Sequence, residues 1–227
     1  MPWTGSDDKI SGEVIMKAKR VMFYCLAGLV AGCVPIVSLN PLFTKGDIVF
    51  DEKLLGTWAE EGGDAGTSWE FARFEESSAE GLPKHLQSEF KRLYRLNLTD
   101  KDGHKGILAA CLVKLGERRF LDIFPDQFPS GESDPEKTKL PYTAFFFLRS
   151  HSFIRVDAAG DQLKIRFTDD DEFNKLVDAE PKAVAYIETE ERPILTASTK
   201  ELQTFVTKYA DDTRLFPHEV TLSQKSK

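Results

Sequence analysis

The stretch RLYRLNLTDKDGHKGILAACLVKLGERRFLDIF, residues 92–124, determines the fold class. Apolar and polar side chains alternate along 94–99, which is the period of a β-strand with one buried face. Turn-forming residues at 100–103 and 116–117 separate this run from two further apolar runs, as in consecutive β-hairpins. The sequence therefore predicts antiparallel strands at 92–99, 105–115 and 118–124.

The same alternation recurs on both sides of this stretch, most clearly at 69–71 and 163–167. Further strands are predicted at 54–60, 68–75, 151–157, 162–167, 184–188 and 193–197. So many short antiparallel strands must protect their edges, either by closing into a barrel or by pairing two sheets. Residues 75–91 predict a hairpin excursion or a short surface helix, and the proline-containing segment 125–141 predicts a surface loop.

Two helices are predicted in the C-terminal third of the chain. Asp169, with a glutamate three residues later, has the spacing of a capping box and predicts a helix over 169–178. The pair Ser198 and Glu201 predicts a second helix over 199–210, whose apolar residues recur at helical spacing. Their apolar faces should pack against the sheet.

Residues 53–58, KLLGTW, resemble the opening strand of the lipocalin-like superfamily, in which a G-x-W motif seals the closed end of an up-and-down barrel. The resemblance implies that Trp58 lies at such an end, and the helix at 199–210 suits this layout. A second lipocalin motif is missing, and the helix at 169–178 is an addition. A core tryptophan after a strand glycine is the alternative interpretation. The predicted fold class is mainly β, an antiparallel up-and-down β-barrel with two short α-helices.

The first 32 residues have the pattern of a secretory signal peptide. Three basic residues within 17–20 precede the uncharged run VMFYCLAGLVAG at 21–32. Residues 1–15 carry more acidic than basic side chains, the wrong sign for the start of a signal peptide. We therefore hypothesise that translation begins at Met16.

The signal ends in Val30-Ala31-Gly32-Cys33, which resembles the lipobox of bacterial lipoproteins. The resemblance implies cleavage before Cys33, lipidation of its thiol and acylation of the new amino terminus. Several acyl chains together give stable membrane anchoring, since one chain alone is marginal. An uncleaved transmembrane anchor is the alternative, because no charge occurs over 21–44, although prolines interrupt the second half of that segment.

The expected organisation is a signal peptide at 1–32, a lipidated tether at 33–46 and a β-barrel domain at 47–227. The chain as a whole resembles uncharacterised bacterial lipoproteins of this size. Its 227 residues carry a formal net charge of −7 and contain no run rich in lysine and arginine, which argues against a nucleic-acid partner. The expected location is the cell envelope, on the extracytoplasmic side of a membrane.

No local signature of catalysis, metal binding or cofactor binding occurs in the sequence. The four histidines are far apart, and no cysteine or carboxylate joins them at metal-ligand spacing. His151 begins a strand beside a phenylalanine cluster, so it and Trp58 are candidate ligand-binding residues; a strand-capping role for His151 is the alternative. We expect no enzyme activity, no metal and no cofactor.

The leading hypothesis is a lipid-anchored barrel that binds a small apolar molecule in its interior. The alternative is a structural or protein-interaction lipoprotein of the envelope, whose barrel is filled by side chains, since barrels of about eight strands are compatible with both. A hydrolase is a third hypothesis, which requires His151 within hydrogen-bond reach of a serine or aspartate beside a pocket. An enclosed apolar cavity distinguishes the carrier from the filled scaffold.

Overall fold

The computed structural model describes residues 35–60, 62–64, 66–126 and 148–225. The predicted signal peptide, the hypothetical start at Met16 and the lipidation site Cys33 lie outside the described residues. So does most of the predicted surface loop at 125–141.

Alternation of apolar and polar residues produces most of the strands in the described ranges. In chain order the strands are β1 Val37–Ser38, β2 Ile48–Val49, β3 Gly56–Glu60, β4 Ser68–Arg73, β5 Leu93–Thr99, β6 Lys105–Leu115, β7 Arg118–Pro125, β8 Ser152–Ala159, β9 Gln162–Phe167, β10 Tyr186–Ile187, β11 Ile194–Leu195 and β12 His218–Gln224. The α-helices are α1 Asp170–Ala179 and α2 Thr199–Lys208, and 3-10 helices span Glu52–Leu54, Glu76–Gly81 and Gln87–Arg92.

Eight of these strands close into an antiparallel barrel. Strands β3 to β9 form an up-and-down meander in which each pairs with the next, and β12 fills the remaining place between β9 and β3. The short strand β2 pairs with the end of β6, at Ile48 and Val113. The predicted fold class, a mainly β up-and-down barrel with two short α-helices in the C-terminal third, is confirmed.

The last two predicted strands, 184–188 and 193–197, are not barrel strands. They shorten to β10 and β11, which form a separate three-stranded sheet in the order β1-β11-β10. A polar segment separates the two strands, and Pro193 just before β11 is buried. Each strand therefore has only a short run in which apolar residues alternate. The strand that closes the barrel, β12, was not predicted, because only Val220 and Leu222 in it are large apolar residues.

The N-terminal segment also differs from its prediction as a tether. Residues 35–46 pack onto the domain: Ile36 and Leu42 have no exposed surface, and Val37–Ser38 form β1. The folded domain therefore begins by Pro35 instead of Asp47. The burial of these apolar side chains holds the segment in place, an effect that a search for alternating strands does not detect.

Barrel strands bury side chains on both faces, so the domain has two hydrophobic cores. One core fills the barrel interior and includes Trp58, Phe71 and Tyr94. The other lies outside the barrel, where the N-terminal segment and both α-helices cover β6, β7 and β8. Successive residues of β6 alternate between these cores, with Cys111 in the outer and Leu112 in the inner one.

Candidate functional site

Trp58 lies inside the barrel, in the inner hydrophobic core. Its indole Nε1 donates a hydrogen bond to the carbonyl oxygen of Leu54 at 2.8 Å, and both side chains are almost completely buried. Leu54 ends the 3-10 helix that precedes β3. Two residues before Trp58, Gly56 has a φ of 121°, and a Cβ there would approach the side-chain amide of Gln224 to 2.9 Å. The G-x-W motif therefore combines a core tryptophan with a backbone position that favours glycine, the residue without a Cβ atom.

Large side chains occupy the barrel interior around Trp58. Phe71 and Tyr94 pack edge to face at 5.9 Å between ring centroids, and neither has more than 1 % of its surface exposed. Leu96 and Leu163 are fully buried as well. Because interiors pack at close to crystalline density, a ligand at this level would have to displace these side chains.

A small apolar depression lies beside the turn between β3 and β4, and Trp69, the strand partner of Trp58, is part of its lining. Its cavity volume is only about 10 Å³, room for roughly one water molecule and far below the volume of a typical ligand pocket. Its lining consists of Ala59, Glu60, Thr67, Trp69, Ile165, Phe167, Val220 and Leu222. The rings of Trp69 and Phe167 meet edge to face at 6.0 Å. Sequence reasoning missed this site because β12, which contributes Val220 and Leu222, was not identified.

His151 lies on the outer face of the barrel, away from Trp58. Its Nδ1 is 2.6 Å from Oδ1 of Asp122, which is fully buried, and Oδ2 of the same carboxylate accepts a hydrogen bond from the Leu42 backbone N–H at 2.7 Å. The rings of Phe43 and Phe124 lie at 6.2 and 5.0 Å from the imidazole. The structure therefore does not bring the two candidate ligand-binding residues together.

The contacts of His151 connect the N-terminal segment to the barrel. The backbone N–H groups of Ser38 and His151 each donate to the other's carbonyl oxygen at 2.8 Å. The neighbouring Ser152 lies on the inward face of β8, because it precedes the inward-facing Ile154 by two positions. Asp122 and His151 resemble the acid and base of a hydrolase only in the distance between the carboxylate and the imidazole. Their observed contacts are those of a structural clamp on residues 38–42.

The small sheet carries an aliphatic row on its outward face. Val37, Ile194 and Ile187 are in register across β1, β11 and β10, while Leu195 and Tyr186 face inward. Ile187 has 49 % of its surface exposed, and Leu39, two residues after Val37, has 37 %. Two of the four exposed large apolar residues in the described ranges thus lie in this sheet or directly beside it, next to the N-terminal end of the domain. We call Val37, Leu39, Ile187 and Ile194 the aliphatic face.

Within the described ranges, two groups of side chains have the geometry to hold a cation. Asp100, Asp102 and His104 form one, in the hairpin between β5 and β6, and Asp169–Asp171 form the other at the start of α1. In the first, Oδ1 of Asp100 accepts hydrogen bonds from the backbone of Asp102 and His104. In the second, Asp169 caps α1 by accepting a hydrogen bond from the backbone N–H of Glu172. The carboxylates of Asp100 and Asp169 thus accept hydrogen bonds from the backbone of their own turn or helix.

Comparison of this chain with models of protein families, with curated proteins and with solved structures gave no significant match. None of the helices in the described ranges combines the length and the apolarity needed to cross a bilayer.

Proposed function

We propose that this chain is a lipid-anchored protein of the bacterial cell envelope, and that it acts as a solid scaffold that binds another envelope component through its outer surface. The observation that carries the scaffold assignment is the filled barrel interior. Trp58, Phe71 and Tyr94 occupy the space in which a carrier would hold its ligand.

Anchoring is proposed from the lipobox at Val30–Cys33, together with the basic and apolar segments before it. The fold is compatible with this proposal, because Pro35 already belongs to the domain and Cys33 is two residues earlier. The acyl chains would then hold the barrel directly at the bilayer surface, on the extracytoplasmic side. The acidic net charge makes apolar attachment the more favourable mode, because anionic headgroups would repel the protein.

A Cys33→Ala variant tests the anchoring. Expressed in a bacterium that is fed a radioactive fatty acid, the unaltered chain should incorporate label and migrate as the processed form. The variant should remain unlabelled and unprocessed. Cys111→Ala is the matched control and should behave like the unaltered chain, because that thiol is fully buried in the outer core. Equal labelling of the Cys33→Ala variant would refute the anchor.

Native mass spectrometry of the full chain, purified from membranes in detergent, tests the filled interior. The expected mass is that of the processed and acylated polypeptide, with no further small molecule. A stoichiometric apolar molecule that leaves only when the protein unfolds would overturn the scaffold and restore the carrier hypothesis.

A further inference from the structure

We propose that the aliphatic face of the small sheet, Val37, Leu39, Ile187 and Ile194, rests on the lipid bilayer. This inference rests on the proposed anchoring at Cys33 and specifies which surface of the domain meets the membrane. Its basis is the juxtaposition of the anchor with a partly exposed apolar surface, in which Ile187 and Leu39 are exposed and the other two residues half-buried. Scattered exposed aliphatic residues need no explanation, but a row in register beside the anchor does.

The distance from the anchor to this face is short. Cys33 precedes Val37 by four residues, so even a fully extended chain separates their Cα atoms by no more than roughly 14 Å. The acylated residue therefore cannot lie far from β1. A bilayer that receives the acyl chains must pass close to the strand from which the aliphatic face is built.

The aliphatic face is also fixed to the barrel and cannot swing freely on the anchor. The backbone N–H of Ile36 donates to the Thr168 hydroxyl at 3.1 Å in a buried hydrogen bond, and Ser38 pairs with His151. On the inner side of the same sheet, Leu195 is fully buried in the outer core. An anchor attached to so rigid a strand sets the orientation of the whole domain.

The surrounding charges indicate which membrane surface suits this contact. The turn between β10 and β11 carries Glu188, Glu190 and Glu191, which are all exposed, against the half-buried Arg192. Anionic headgroups would repel this turn, whereas zwitterionic headgroups would not. The fitting partner is therefore a zwitterionic lipid surface, and the contact gains its free energy from apolar burial.

The test uses the full acylated protein reconstituted into phosphatidylcholine vesicles that contain a nitroxide-labelled lipid. An environment-sensitive fluorophore is attached to a cysteine introduced as Leu39→Cys or Ile187→Cys. Labelling is selective because Cys33 is acylated and burial raises the pKa of the Cys111 thiol well above its usual value. Asp161→Cys supplies the control position, in the hairpin at the far end of β8, roughly 26 Å along that strand from His151.

Nitroxide quenching at positions 39 and 187 should exceed that at position 161 several-fold. With the probe at position 39, Ile187→Asp should reduce the quenching, since a carboxylate resists burial in the interface. Ile107→Asp is the matched control, because Ile107 is 45 % exposed but lies on the barrel, and it should change nothing. The two substitutions introduce the same charge at similar exposure.

Three outcomes would overturn the inference. Vesicle flotation with equal quenching at all three positions would leave the anchor intact and refute the docking of this face. Protection of position 187 from aqueous iodide without nitroxide quenching would show that a second protein chain covers the face. Failure of the acylated protein to float would refute the anchoring itself and the inference with it.

Discussion

At the scale of single residues, the most consequential polar contact in the barrel interior is that of Tyr94. Its hydroxyl donates to the Asp51 carbonyl oxygen at 2.9 Å and accepts from the Asp51 N–H at 2.7 Å, which ties the segment before β3 to β5. Tyr94→Phe leaves both backbone groups without this partner, and should lower the free energy of unfolding by about 1–3 kcal/mol. Urea denaturation at neutral pH measures this. Tyr186→Phe, at a half-buried position in β10, is the control and should cost less.

The same tyrosine predicts a dependence of stability on pH. Burial raises the pKa of the Tyr94 phenol far above its usual value of 10.0, so the folded protein keeps this proton when the unfolded chain has lost it. Its contribution is complete below about pH 10 and declines as the pH rises further. The stability difference between the unaltered protein and Tyr94→Phe should therefore shrink in alkaline urea titrations. A difference that grows with pH would contradict this.

Asp122 carries the second residue-scale prediction. Its two carboxylate oxygens contact His151 and the Leu42 N–H, and no part of the residue is exposed. Asp122→Ala leaves a buried N–H and a buried imidazole without their partner, and should destabilise the fold by about 3–5 kcal/mol. Asp161→Ala, in an exposed hairpin, should have little effect. Near-equal urea midpoints for these two variants would show that the clamp on residues 38–42 is dispensable.

At the scale of elements, local sequence signals were sufficient where one face of a strand carries several large apolar residues. Strands β4 to β9 have this property, and their prediction is confirmed. The two-residue strand β1 gave no such signal, since a pair as short as Val37–Ser38 has no period. Its place depends on a partner far along the chain, Ile194, and on the burial of its neighbour Ile36.

The candidate sites depended even more on long-range pairing. The sequence marks His151 only as the start of a strand, because its partner Asp122 is 29 residues earlier. That contact follows from the register of β7 with β8 and from the path of the N-terminal segment. Neither can be inferred from local pattern. The aliphatic face likewise combines two parts of the chain that meet only in the folded sheet.

The capping box of α2 is the element with the clearest local prediction. The Ser198 side chain accepts a hydrogen bond from the Glu201 N–H, and the Glu201 carboxylate accepts from the Ser198 N–H at 2.8 Å. Ser198→Ala should lower the free energy of unfolding by about 1 kcal/mol. Thr204→Ala, on the exposed face of the same helix, is the control, and should be neutral or slightly stabilising because alanine has the higher helix propensity. Thermal melts of both variants measure the difference.

At the scale of the whole molecule, the barrel strands contribute side chains to both the inner and the outer core. Closure of the barrel therefore supports both cores. Strand β12 closes it by pairing with β9 over six residues and with β3 over three. Without β12, two edges lose their partners and the interior opens beside Leu163 and Trp58. Unpaired edges and exposed apolar side chains together promote aggregation. The barrel should therefore fold as one cooperative unit that requires its last strand.

Deletion of β12 tests this cooperativity. A chain that ends at Phe216 should lose its near-ultraviolet circular dichroism and aggregate, while a chain that ends at Lys225 keeps every described pairing of β12 and should unfold like the full protein. A point substitution separates closure from chain length: Leu222→Asp places a carboxylate in the inner core and should destabilise by several kcal/mol, on the order of a buried unpaired charge. Thr221→Asp puts the same charge opposite Lys164 in the register with β9 and should be tolerated. If the chain ending at Phe216 kept a cooperative unfolding transition, the barrel interior could not be the solid core on which the scaffold assignment depends.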